Sequence, residues 1–153
     1  MTMNNSIPRI VPPVYFLAAI IVMVLLNAFV PIGYWLRFPW RYFGIVLIVL
    51  GFALSLGSGS LFRRLGTPPR PGVRAKVLVT KGAYCYTRNP MYLGLVTMLV
   101  GIAILLGSTS PLFVIPIMVW ILHSQFILQE EKWMENWFGE SYLEYKNKTR
   151  RWL

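Results

Sequence analysis

Two short stretches of this sequence hold the residue types that could do chemistry. Arg88-Asn89-Pro90-Met91-Tyr92 sets a cation, an amide and a phenol side by side, and Glu130-Glu131 puts two carboxylates together about forty residues later. An arginine fork holds carboxylate or phosphate, and a carboxylate holds a cation or takes a proton. Arg88 stands directly before an apolar run, so it reads either as an arginine snorkelling to lipid phosphate or as half of a charge pair. Two negative charges at a helix C-terminus are unfavourable unless the helix continues or cations lie nearby. A pair between Arg88 and Glu130 would satisfy that need, either as a lock between two helices or as part of a ligand site. Tyr84, Tyr86, Tyr92, Trp133, Trp137, Tyr142 and Tyr145 surround these residues in sequence. They suit a pocket for a planar, cationic or amphipathic ligand, or an interfacial aromatic belt.

Other catalytic templates are missing. The sequence has no Asp, one His and one Cys, and it has no GxGxxG, Walker or GxSxG motif. No metal is expected. His123 lies seven residues before Glu130, two turns of a regular helix, and reads as a packing histidine ahead of a general base. Cys85 cannot form an internal disulfide and reads as a small buried packing residue ahead of a reactive thiol.

The elements that must position these residues are apolar. Of 153 residues, 56% are hydrophobic and 13% charged, against roughly 25% charged in soluble domains. Four runs, Val14–Leu36, Tyr42–Phe62, Met91–Ser108 and Leu112–Leu128, contain no Asp, Glu, Lys or Arg. About 20 apolar residues, range about 17–25, span the hydrocarbon as a helix. The reading is therefore an all-α integral membrane chain of about four transmembrane helices in one domain, the last two runs short enough to be tilted or partly interfacial. The first run is longer than a signal-peptide core and lacks an A-x-A-like exit, so it reads as a retained span. Pro31 and Gly33 predict a kink or early end within it. Gly51, Ser55 and Gly59 give small-xxx-small spacing for close helix packing, or small residues scattered on a lipid-facing helix.

Met1–Pro13 reads as a polar lead-in. Residues 63–90 form a loop opening on Gly66-Thr67-Pro68-Pro69-Arg70-Pro71-Gly72, predicted extended, and continuing into the apolar strip Lys76–Val79. A mere linker would not need that strip. The fourth run continues into Gln129–Phe138, which predicts that the helix leaves the membrane near Glu130. Within the C-terminal segment 129–153, residues after Gly139 alternate aromatic and basic types, as a short helix at the headgroups would. The net charge of +10 invites a nucleic-acid reading. With four spans, however, thirteen of the fifteen Lys and Arg fall on one side. The positive-inside rule places that side, with both termini, in the cytoplasm. Topology and affinity for anionic membrane lipids account for the charge without nucleic acid.

The run VLVTKGAYCYTRNPMYLG, followed by QEEKWMENWFGESYLEYKNKTRRW, resembles the C-terminal half of the isoprenylcysteine carboxyl methyltransferases and the related membrane phospholipid methyltransferases. The resemblance covers Lys76–Trp152 and rests on the two motifs together. It implies an S-adenosylmethionine-dependent methyltransferase with its cofactor at the cytoplasmic face. Carried over by motif, Lys76, Val77, Leu78 and Val79 would give backbone contacts to the cofactor, and Tyr84 would pack on it. Asn89, Pro90, Met91 and Tyr92 would floor its pocket. Glu130 would face the cofactor, Glu131 would replace it if the helix were rotated, and Arg88 would orient the acceptor or balance charge. The acceptor would be a lipophilic small molecule or lipid, or a prenylcysteine-like group, entering from the bilayer. Two positions depart from the prenylcysteine enzymes: Asn89 stands where they usually have His, and Phe126 where they carry a substrate-contacting Arg. Both bear on acceptance of a prenylcysteine carboxylate, and the charge-free Phe126 points to a different or more apolar acceptor. Two other readings compete: an NADPH-dependent membrane reductase of the sterol-reductase type, which has a similar Arg-(His/Asn)-Pro-x-Tyr motif, and a noncatalytic membrane protein.

Overall fold

A computed structural model describes residues 11–67 and 73–153. The expected extended stretch at 68–72, with Arg70, and the lead-in up to Ile10, with Arg9, lie outside the described residues. Among the described residues the chain is helical, with two isolated β-bridges and no strand. The helices are α1 (Pro12–Phe29), α2 (Phe43–Arg64), α3 (Pro90–Leu106), α4 (Val114–Ile121), α5 (Leu128–Phe138) and α6 (Glu140–Lys148). A π-helical turn, Leu122–Ile127, joins α4 to α5, so one helical rod runs from Ser110 to Phe138. Three helical stretches are long and apolar enough to cross a membrane, namely Pro12–Phe29, Trp40–Arg64 and Ser110–Phe138, while α3 is a shorter apolar helix.

The first helix ends at Phe29, not at Leu36. Pro31 is the cause, because a residue before proline is driven out of the α region, and Val30 sits at φ −137°, ψ 57°. The freed chain ties down the α3–α4 connection. The Trp35 N–H donates to the Gly107 carbonyl at 3.1 Å, and the Thr109 N–H to that of Ile32 at 3.1 Å. Ser108 Oγ donates to Asn27 Oδ1 at 2.7 Å. Arg41, at the foot of α2, donates from Nε and Nη2 to the carbonyls of Leu105 and Leu106 at 2.8 and 2.7 Å. This guanidinium satisfies the orphan carbonyls that a helix C-terminus leaves.

Helices α2 and α3 form an antiparallel pair held by glycines two turns apart, Gly44 facing Gly101 and Gly51 facing Gly94. A Cβ added at either Gly51 or Gly94 would meet the other's carbonyl oxygen at 2.5 Å, so only glycine lets the backbones approach this closely. The small-residue spacing therefore packs helices: Gly51 and Ser55 meet Gly94, and Gly59 lies nearest Met91. On the other side of α3, Leu99 and Ala103 bury against Ala19 and Met23 of α1 and Met118, Leu122 and Phe126 of the rod. Cys85, expected to be a buried packing residue, is exposed on a short 3-10 turn, its Sγ 3.1 Å from the Thr80 carbonyl.

Candidate active site

The site lies where α3 begins and α5 passes it. Pro90 is at the first position of α3, where its missing N–H costs nothing, and it fixes Arg88 and Asn89 just outside the helix. Asn89 does not cap α3. Its Nδ2 donates instead to the Arg151 carbonyl at 2.9 Å, as Thr87 Oγ1 does at 3.2 Å. The Arg88 N–H donates to the Arg150 carbonyl at 2.9 Å. Residues 87–89 are thereby stitched to the chain's last residues.

A cavity of about 60 Å³ opens between these elements. Arg88, Asn89, Met91 and Tyr92 line one side, Glu130, Glu131 and Met134 the other, with Phe62, Val79, Tyr84, Tyr142 and Tyr145 closing it. Arg88 does not meet Glu130. Its Nη2 lies 3.4 Å from Glu131 Oε1, both side chains being under a tenth exposed. Glu131 also receives Arg151 in a bidentate pair, Nε to Oε1 and Nη2 to Oε2, both at 2.8 Å. Glu130 Oε1 accepts a 2.6 Å hydrogen bond from the Tyr92 hydroxyl, and no cation pairs with it among the described residues. The reason is rotational: successive helical residues point about 100° apart, so one carboxylate turns to the arginines and the other to Tyr92.

Three buried polar atoms of the site have no hydrogen-bond partner among the described residues: Nε and Nη1 of Arg88, and the Tyr84 hydroxyl. Buried polar groups are normally paired, and each orphan asks for an explanation. Tyr145 donates its hydroxyl to the Tyr84 carbonyl at 2.7 Å, and Tyr84 stacks at a tilt on Phe62, ring centroids 5.3 Å apart. Burial first, and then the Glu130 charge, raise the Tyr84 phenol well above its ordinary pKa. Burial, then the Glu131 charge, push Tyr142 up to about 12. Both phenols are thus neutral donors near pH 7. The Arg151 guanidinium is held above its usual value, first by its hydrogen bond to Glu131.

Of the predicted loop contacts, Val79 is buried at the cavity, Leu78 is half-buried, and Lys76 and Val77 are exposed. The Lys76 N–H donates to Thr67 Oγ1 at 3.2 Å, so that amide is already committed. Pro90 is buried but shapes the site through the backbone and does not line the cavity. His123 does not line it either. It lies in the π-helical turn, where the spacing that would align it with Glu130 does not hold. Phe126 is 1% exposed and packs on Tyr92 and Tyr15, centroids 6.3 and 5.7 Å away, so it belongs to the core beneath the site. Sequence reasoning passed over Arg151, whose local signal was one more basic residue in a basic tail. Only its pairing across the fold reveals it.

The family model for phospholipid methyltransferases matches residues 40–141. The protein-S-isoprenylcysteine O-methyltransferase of Schizosaccharomyces pombe is 36% identical over 73 residues, covering 48% of this chain and 31% of that protein. Its Saccharomyces cerevisiae namesake is 38% identical over 73 residues, covering 48% and 30%. The chain thus matches about a third of the length of these curated relatives. The structure of the eukaryotic intramembrane Ras methyltransferase, isoprenylcysteine carboxyl methyltransferase, superposes with a TM-score of 0.61 at 23% identity, over 97% of this chain and 52% of that one. That likeness bears out the all-α integral membrane fold. With the family match spanning the α2–α3 pair, the first motif and the second as far as Ser141, the chain belongs to the phospholipid methyltransferase family.

Proposed function

We propose that this protein is an S-adenosylmethionine-dependent methyltransferase that binds its cofactor in this cavity, at the cytoplasmic membrane face, and methylates a lipophilic or prenylcysteine-like acceptor entering from the bilayer. The observation that carries the reading is the presence at one cavity of two Arg88 donors and a Tyr92-held Glu130 carboxylate, the donors without a hydrogen-bond partner and the carboxylate without a cation among the described residues, inside the family-matched stretch. These groups fit the cofactor's chemistry: the carboxylate suits a cationic ligand, and the arginine donors suit a carboxylate on the cofactor or acceptor.

The enclosed part of the cavity, about 60 Å³, is smaller than a whole small-molecule site at about 300–1,000 Å³. A cofactor bound there would extend beyond it or displace a wall. The wall built by Tyr142 and Tyr145 belongs to α6, which is joined to α5 through Gly139 at φ +51°.

When bound, the cofactor supplies an electrophilic methyl whose sulfonium charge is discharged as the acceptor adds. Such a displacement depends on alignment and exclusion of water more than on a strong base. Tyr92 would hold the Glu130 carboxylate toward the cavity, Arg88 would anchor an anionic group, and Phe62, Val79 and Met134 would keep water out. The polar cofactor and the lipophilic acceptor would arrive from different phases, which is a reason to build the site at a membrane face. The family match favours this chemistry over the reductase reading.

The test is incubation of purified protein with methyl-labelled S-adenosylmethionine and a membrane-lipid extract, followed by identification of the labelled species. Label transferred by the wild type and sharply reduced in Glu130→Gln and Arg88→Ala, each still folded in detergent, is the expected result. Wild-type transfer in both variants would sink the site assignment.

A further inference from the structure

We infer that Arg151 is a positioning residue: by engaging both oxygens of Glu131, it fixes the carboxylate that in turn aims Arg88's two unpartnered donors into the cavity. This deepens the proposed function and rests on it. Arg151 does not line the cavity, yet it makes the better contact with Glu131, two 2.8 Å hydrogen bonds against the 3.4 Å approach of Arg88. Its backbone serves the same end, since its carbonyl receives Thr87 and Asn89, the residues flanking Arg88. The chain end thus grips Arg88 twice, through the backbone on either side and through Glu131 at the tip.

Charge explains why two arginines are needed. Glu131 would otherwise be the natural bidentate partner of Arg88, and the Arg88 fork would be consumed by it. Because Arg151 occupies that carboxylate with its own fork, Arg88 keeps Nε and Nη1 unspent. Arg88 and Arg151 share the one carboxylate of Glu131, while the Glu130 carboxylate at the same cavity is held by Tyr92; the remaining N–H donors of a guanidinium suit an anion, a carboxylate or phosphate on cofactor or acceptor. Lysine cannot replace Arg151 fully, since an ammonium lacks the planar fork.

The test has two readouts. In the ligand-free protein, labelled with 15N-arginine and with the Arg88 Nε–H resonance assigned by its loss in Arg88→Lys, Arg151→Met should shift that resonance and speed its hydrogen exchange. Arg151→Lys should do so partially, and Arg150→Ala, which alters an exposed side chain, should leave it in place. In S-adenosylmethionine titrations, Arg151→Met should weaken binding on the order of tenfold, the scale on which supporting partners act, and add nothing in an Arg88→Ala background. An unmoved Arg88 resonance, or equal losses in both backgrounds, would overturn the inference and leave Arg151 a structural strap. Should Arg151→Met fail to fold, Arg151→Lys carries both readouts. A wild type that binds no S-adenosylmethionine defeats the proposed function, while the Arg88 resonance still decides the role of Arg151.

Discussion

Glu130 and Glu131 are neighbours in sequence and opposites in circumstance. Glu131 is saturated by two guanidinium groups, and Glu130 keeps one neutral phenol. The sequence predicted that Arg88 and a carboxylate would meet, because both sit at ends of antiparallel runs, but it named Glu130 where the structure pairs Arg88 with Glu131. The choice depends on helix rotation, and the π-helical turn just upstream alters the rotation. Arg151 was illegible for a different reason: a residue that pairs across the whole fold leaves no local trace. Tyr92→Phe removes the donor that holds Glu130. It should raise the Kd for S-adenosylmethionine about fivefold, the worth of roughly 1 kcal/mol for one hydrogen bond, measured by titration beside an unchanged far-ultraviolet circular dichroism spectrum.

At the scale of elements, the α2–α3 glycine pairs decide where the site is built, because they set how closely the start of α3 approaches the end of α2. The sequence carried half of this, in the spacing of Gly51, Ser55 and Gly59; Gly94 and Gly101 became meaningful only once opposite it. Gly94→Val would drive side-chain atoms into the Gly51 carbonyl and should cost about 1–3 kcal/mol, as overpacking does. Gly57, on the same helix with open space where its Cβ would stand, gives the contrast. Gly57→Ala should be neutral or stabilising by up to about 1 kcal/mol. Thermal unfolding in detergent, read as a fall in Tm for the first and none for the second, checks both. The early end of α1 was legible in Pro31. The use of the released segment as a clasp on the α3–α4 connection was not, because its partners lie about 75 residues away.

For the whole molecule, the charge asymmetry that first served to orient the chain now bears on mechanism. The basic loop and tail supply Arg88 and Arg151, so the proposed orientation would put the site at the cytoplasmic face. Cys85 gives a direct check on orientation, being the sole cysteine and exposed beside the site. A membrane-impermeant maleimide should label it in inside-out vesicles and not in intact cells; labelling from the outside would reverse the topology.

The most direct measurement of the central claim is calorimetric titration of the purified wild-type protein with S-adenosylmethionine and, separately, with NADPH. Saturable one-site binding of S-adenosylmethionine, lost or weakened at least tenfold in Arg88→Ala and Glu130→Gln, with no heat from NADPH, is the expected result. Binding of NADPH alone, or S-adenosylmethionine binding that both variants keep at wild-type strength, would contradict the account.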